Sequence, residues 1–539
     1  MARNIVAVCL LVHCTSAADP IVTLCHGGQF RGVSTTFLDS KVDLFLGVRY
    51  ARPPLGKLRF QKPQAVEVWE GVKNATSLGP MCPHLLPIIA DSGISTVSFA
   101  RSIFVRNEIL ANVLACLSGN SYKVMGEEDC LFLDITVPRG VQLGAKKPVM
   151  VWIHGGGFVL SSGSSYIGAA IATAGDVIVV TINYRLGVLG FLTDNKWGAA
   201  GNLIYIKGTG NYGLWDQRAA LLWVKQNIAQ FGGDPDLVTI FGCSAGAASV
   251  SAHTIGQHNG GLFRRAITQF VLQIPQFESL YVVRFELLAG FNGQEGGAIY
   301  VKYSMKYPKI LTEGVDMELV TRVVTEMCVD RQSVESPTLC TAHIIRLYGL
   351  EEAGDDLERA RRLVEFFGDE KIVESNVRQL EQHSAGEKPT YAYYFTEKHK
   401  TNPLASLWTL PDWLKVSADH GDEVAFVFGG SLIKEAAKTD PLWENILNRD
   451  LYAKGFVTKI CEKNRDLSSV MMTMWTNFAK SGDPNHPVAL PGNTPLWPKF
   501  TAENNAFLEI NSKHIQVITT PNKKRLDKLG GLFQNKTHN

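Results

Sequence analysis

Residues 237–256, LVTIFGCSAGAASVSAHTIG, carry an apolar strand into Gly-Cys-Ser-Ala-Gly and on into a helix of small residues. A serine hydroxyl becomes a nucleophile only with a base to take its proton and donors to hold the oxyanion that follows. A strand, a Gly-x-Ser-x-Gly turn and a helix place such a serine, here Ser244, at the carboxyl edge of a sheet. Gly242 and Gly246 are needed because a Cβ there would strike the adjoining strand or helix. The alternative, a hydroxyl in a tight turn, leaves a second motif unexplained. HGGGF at 154–158 follows another predicted strand, and such glycine runs let backbone N–H groups approach a substrate. Gly156 and Gly157, with the N–H of Ala245, form the expected oxyanion hole. For the base, SADHGDEVAFVFG (417–429) sets His420 in a polar turn before an apolar run. A lone histidine is more often structural; the chain order serine, acid, histidine selects this one.

These residues need a scaffold, and the sequence offers one. KKPVMVWIHGGGF (146–158), DVIVVTINYR (176–185) and DLVTIFG (236–242) read as strands, continuous enough to suit a sheet covered on both faces. Between them, GLWDQRAALLWVKQNIAQFGG (213–233) has helical spacing and stops on a glycine pair. Strands alternating with helices predict a mostly parallel α/β sheet. The charged region 305–390, with EEAGDDLERARRLVEFF, reads as helices forming a lid or cap on that sheet.

The whole chain bounds the function. Lys and Arg number 53 and Asp and Glu 51, a formal charge of +2, and Lys523, Lys524 and Arg525 make the densest basic cluster. Nucleic-acid binding has no support in that. Arg3, the run IVAVCLLV and then Ser16, Ala17 and Ala18 lay out a signal peptide over 1–18, cleaved before Asp19. No later stretch holds the roughly 20 apolar residues that span a bilayer. The expectation is secretion to the extracellular space. Of ten cysteines, Cys9 and Cys14 leave with the leader, and some of the rest should pair in an oxidising compartment. Asn74 in NAT and Asn535 in NKT are glycosylation acceptors. Residues 19–539 show no repeat or linker that would divide them, and read as one domain.

At this point the chain resembles the type-B carboxylesterase/lipase group of α/β-hydrolases, which includes carboxylesterases, bile-salt-activated lipase and cholinesterases. The resemblance runs from FLGVRYARPPLGKLRFQKPQ (45–64) through GEEDCLFLDITVP (126–138) and TGNYGLWDQ (209–217) to MWTNFAKSGDPN (474–485). It implies one α/β-hydrolase domain with helical insertions, a small-molecule or lipid ester as substrate, contact with a lipid interface, and no cofactor or metal. It implies Ser244 as nucleophile, His420 as general base, and Cys82 with Cys130 as a disulfide. The acid falls at Glu295 in LLAGFNGQEGG, where it would hold the His420 tautomer; Glu286 is its competitor, inside the presumed strand. The group also contains adhesion proteins that work by binding and usually lack the nucleophile, so a non-catalytic binding protein or an inactive shortened form is the alternative.

Three departures stand out. Ser244 and Glu295 are 51 residues apart where the family leaves well over a hundred, and the match breaks after Gln269. Cys243 replaces the acidic residue common before the nucleophile, and is expected to be a buried, inert thiol. The stretch 196–213 is longer than its counterpart and takes no role. Cholinesterase action is disfavoured, because CLSGNSYKVMGEEDC (116–130) offers only Tyr122 where a choline would need a stacking Trp.

Overall fold

The structure, a computed structural model, describes residues 19–87, 122–192, 210–269, 284–307, 309–330, 336–398, 411–449 and 464–533. The leader over 1–18, Cys116, Asn535 and most of 196–213 lie outside the described residues.

The apolar runs become the strands of one sheet. In chain order they are β1 (Val33–Phe37), β2 (Ser40–Arg49), β3 (Phe132–Pro138), β4 (Lys147–Ile153), β5 (Ile178–Ile182) and β6 (Gly233–Cys243). They continue with β7 (Arg265–Gln269), β8 (Glu286–Asn292), β9 (Thr390–Phe395), β10 (Ala506–Ile510) and β11 (Ile515–Thr519). Across the sheet the order is β11-β10-β9-β8-β7-β6-β4-β5-β3-β2-β1. Neighbours from β10 to β5 run parallel. The two ends, β11 and β3-β2-β1, add antiparallel strands. This is the expected α/β-hydrolase arrangement. Every residue of β5 and β7 is buried, so these strands have no solvent face; β5 is nearly all Ile and Val, while β7 carries Arg265, Thr268 and Gln269 into the interior.

Helices supply the cover. α1 (Ala169–Gly175) and α7 (Arg465–Ser481) pack together, with α7 on β4 and β6. The predicted helix over 213–233 is α2 (Tyr212–Asn227) followed by a 3-10 turn, and it ends where Gly232 takes φ 82°. That left-handed conformation suits glycine. α3 (Ala245–Ile255) leaves the nucleophile turn and packs on β6 and β7. α4 (Gly297–Lys306) and α5 (Asp356–Gly368) belong to the helical region, with α6 (Glu374–Ser384) against β8 and β9 and α8 (Lys523–Phe533) near the end.

The core is in two parts. The sheet core gathers Trp152, Trp475 and Trp497, and truncating a buried Trp to Ala costs about 3–5 kcal/mol. The helical region buries its own cluster around Tyr300, Val324, Ile344, Phe366 and Phe367. Disulfides close one loop beside the sheet, Cys82–Cys130 with Cα atoms 4.9 Å apart, and one hairpin of the helical cluster, Cys328–Cys340. The second pair carries no motif and went unassigned from sequence. Arg185 and Asp216 form a fully buried bidentate ion pair, joining the end of β5 to α2. Removing one partner of such a pair costs about 3–5 kcal/mol.

The short Ser244–Glu295 interval leaves the sheet unbroken. β7 and β8 are adjacent and parallel, paired from Arg265–Glu286 to Gln269–Gly290. Whatever relatives carry there, no strand between these two is missing.

Candidate active site

The nucleophile turn is fixed by backbone atoms. β6 ends at Cys243, and Ser244 takes φ 58° and ψ −124° before α3 begins. A non-glycine residue held this way stores about 1–3 kcal/mol. The turn survives because its N–H donates to the Gln269 carbonyl at 2.9 Å and its flanks allow no alternative. A Cβ at Gly246 would lie 2.0 Å from the Ile153 carbonyl oxygen, and one at Gly242 2.6 Å from the same atom. Ser244 remains half-exposed.

The glycine loop after β4 lies directly on this turn. A Cβ at Gly155 would meet the Cys243 carbonyl at 2.6 Å and the Ser244 Cβ at 3.2 Å. Gly156 and Gly157 have φ of 103° and 62°, a backbone that aims consecutive N–H groups where side-chain-bearing residues would be strained. His154 props the loop. Its ring stacks on Tyr184 at 4.3 Å, and the Tyr184 hydroxyl donates to its carbonyl at 2.7 Å. Burial lowers the His154 pKa to about 4, so it is a neutral spacer.

The acid and histidine loops are bound to each other. The Gln294 N–H donates to the Ala418 carbonyl at 2.8 Å. His420 Nδ1 lies 2.7 Å from Glu295 Oε2, and Glu295 Oε1 accepts from the Asn292 N–H at 2.6 Å. Asn292 Nδ2 also donates to the Asp419 carbonyl at 2.5 Å, while Asp419 Oδ1 accepts from the His420 N–H. Burial pushes Glu295 well above the carboxylate range, opposed by the Asn292 N–H. It pushes His420 down, opposed by Asp419 and Glu423. Their contact works against both shifts, since carboxylate and imidazolium each favour the other's charge. The competitor Glu286 stands at the start of β8, against Arg264 and Arg265, at the opposite end of the strand from this loop.

β6, β7 and β8 are parallel and end at Cys243, Gln269 and Asn292, so Ser244 and Glu295 share one edge of the sheet. The His420 loop reaches that edge too: a Cβ on Gly421 would be 3.7 Å from Cys243 Sγ. Cys243 itself is buried, and burial together with Glu423, Glu295 and Asp422 raises its thiol well above the ordinary value. It is held protonated. Asn74 is exposed in a short strand, Val72–Asn74. A cavity of about 250 Å³ opens behind the acid loop, between Gln294, Gly296, Trp413 and Arg525; Ser244 does not line it.

Sequence reasoning missed the polar residues behind Ser244, Glu295 and His420. Gln269 and Asn292 close two largely buried strands, and Asp419, Asp422 and Glu423 are all buried. The available signal was the run DHGDE placed directly before an apolar stretch, and an Asn ending LLAGFN. No described helix is long and apolar enough to cross a membrane.

Comparison with known proteins matches this architecture. The sequence model of the Carboxylesterase family covers residues 18–271 and 274–528, interrupted inside the connection between β7 and β8. Neuroligin-3 of Mus musculus is 31% identical over 604 residues, covering 93% of this chain and 67% of that protein. Carboxylesterase 3 of Homo sapiens is 30% identical over 578 residues, covering 94% and 90% respectively. Carboxylesterase 5A of Mus musculus is 31% identical over 555 residues, covering 90% and 84%. Each aligned stretch is longer than this 539-residue chain, so these relatives carry residues without counterparts here. The chain spans about two thirds of the neuroligin and most of the esterases. With the sheet, the Gly-Cys-Ser-Ala-Gly turn and the matched length together, the chain belongs to the carboxylesterase family.

Proposed function

We propose that the protein is a secreted serine hydrolase that cleaves carboxylic esters through an acyl-enzyme on Ser244. The observation that carries this reading is the 2.7 Å contact of His420 Nδ1 with Glu295 Oε2, at the edge where Ser244 sits in a strained turn. Two loops 125 residues apart have no structural need to present an imidazole and a carboxylate at the sheet edge that carries a half-buried serine. With Nδ1 committed to Glu295, Nε2 of His420 takes the Ser244 proton as Oγ attacks the ester carbonyl. The oxyanion is held by the N–H groups of Gly156, Gly157 and Ala245. Collapse expels the alcohol, which takes the proton back from His420; water then repeats the sequence and releases the acid. Glu295 fixes the tautomer and stabilises the imidazolium.

The leader over 1–18 and the acceptors Asn74 and Asn535 support passage through the secretory route, with 19–539 as one domain acting on a carboxylesterase-type or bile-salt-activated-lipase-type ester. The neuroligin similarity favours a second reading, a binding protein built on the same fold. Hydrolysis of p-nitrophenyl butyrate by the purified chain separates the two. Turnover that falls by about 10⁴-fold or more in Ser244→Ala, with melting unchanged, is the expected result. A soluble, cooperatively melting protein without turnover turns the reading to binding.

A further inference from the structure

The proposed mechanism uses three side chains, yet the hydrogen bonds joining their loops converge on a fourth. Glu423 is fully buried, three residues after His420. Its Oε1 accepts from Gln269 Nε2 at 2.9 Å and its Oε2 from Asn292 Nδ2 at 3.0 Å. Gln269 is the residue whose carbonyl receives the Ser244 N–H, and Asn292 the one whose N–H holds Glu295. One carboxyl on the histidine loop thus grips the strand ends behind the nucleophile and the acid.

Its surroundings disfavour a charge. The titratable groups facing it are Glu295 from the β8 loop, His420 and Asp422 on its own loop, the Cys243 thiol from β6 and the Tyr393 phenol from β9. All but His420 are acids, and no Lys or Arg is among them. Cys243 adds a neutral group where a further acid would deepen the repulsion. The Gln269 amide admits a neutral partner: its Oε1 is buried with no hydrogen-bond partner among the described residues. Turning that amide about its last bond offers its oxygen to the Glu423 carboxyl, since amide O and N are interchangeable in outline, while Asn292 is fixed as a donor by the Asp419 carbonyl. A carboxylate cannot use such an acceptor, whereas a carboxylic acid can.

We propose that Glu423 is the positioning residue of this site, a protonated carboxyl that accepts from the Asn292 amide, donates to the Gln269 amide, and so locks the Ser244 strand to the acid and histidine loops. Burial and the neighbouring Glu295 hold its proton up to about 8. The sign follows: a group whose folded pKa is raised stabilises the fold below its unfolded value, and that contribution is lost as pH climbs through the folded value. Glutamine reproduces the neutral acid, one acceptor and one donor, and does not titrate.

The test compares the full chain with Glu423→Gln and Glu423→Ala, by kcat/KM on p-nitrophenyl butyrate and by thermal melting at pH 6, 7.5 and 9. Glu423→Gln should stay within about threefold of wild type at pH 6, and Glu423→Ala should fall by about tenfold or more, as misplacement of catalytic groups does. The melting temperature of Glu423→Gln should gain on wild type from pH 6 to 9. Three results overturn the proposal: alanine at the wild-type rate, glutamine as slow as alanine at pH 6, or a melting gap that does not move with pH. The activity arm rests on the esterase reading and the melting arm does not. A wild-type protein without turnover therefore sinks that reading, while the pH-dependence of the melting gap still decides for or against the neutral clamp.

Discussion

At the Ser244 end of the site, the constraints are backbone atoms: a carbonyl 2.0 Å from any Cβ on Gly246, another 2.6 Å from any Cβ on Gly155, and a strand hydrogen bond to Gln269. At the Glu295–His420 end they are side-chain polar groups. Asn292, Asp419 and Glu423 hold two loops whose backbones meet, among the described residues, at an isolated bridge, Gln294 to Asp419. Sterics of the first kind tolerate no substitution but need no particular charge. Networks of the second kind tolerate small changes of shape and respond to protonation.

The sharpest way to break the first end is Gly246→Ala, which drives a methyl into the Ile153 carbonyl; loss of soluble folded protein is expected, read by secretion yield and melting. Gly531→Ala, where nothing lies within 4 Å, is the matched control and should behave as wild type. The second end breaks more gently. Glu295→Gln should fold normally yet lose about 10³–10⁴-fold in kcat, because the amide no longer stabilises the imidazolium; a loss under tenfold would remove Glu295 from the acid's role.

Protonation tests the second end without a change of shape. His420 must be neutral to act as base, so activity rises as pH passes upward through its pKa. Burial lowers that pKa from the ordinary 6.5, and the acid limb of kcat/KM should lie below 6.5. Cys243→Glu should move that limb to higher pH, since a carboxylate beside the pair favours imidazolium. The smallest effect belongs to Cys243→Ser. A thiol held protonated takes no part in the chemistry, and activity should stay within about threefold; a large loss would make the thiol a participant.

The same division decides how much the sequence disclosed. Gly242, Gly246 and the HGGG run announce themselves because steric demands leave one residue type at each position, close together in the chain. The sheet was legible for a similar reason: β5, residues 149–153 of β4 and residues 238–243 of β6 are buried on both faces and so read as mostly apolar runs. Cys328–Cys340 and the Glu423 clamp were not legible. A disulfide needs only two Cα atoms near 6 Å, here 6.1 Å, and leaves no local pattern. Gln269, Asn292 and Glu423 meet only after three parallel strands have brought their ends to one edge. Glu295 came from resemblance alone, since the chain offers Glu286 nine residues earlier as a competitor; only the strand direction separates them.

The most direct test of the central claim is a fluorophosphonate reaction on the purified chain, with the adduct located by peptide mass spectrometry. One adduct, on Ser244, absent from Ser244→Ala and from heat-denatured protein, is the predicted result, and it would mean that turn, base and oxyanion loop assemble despite the short interval to Glu295. A folded, soluble chain that forms no adduct on Ser244 would contradict the account.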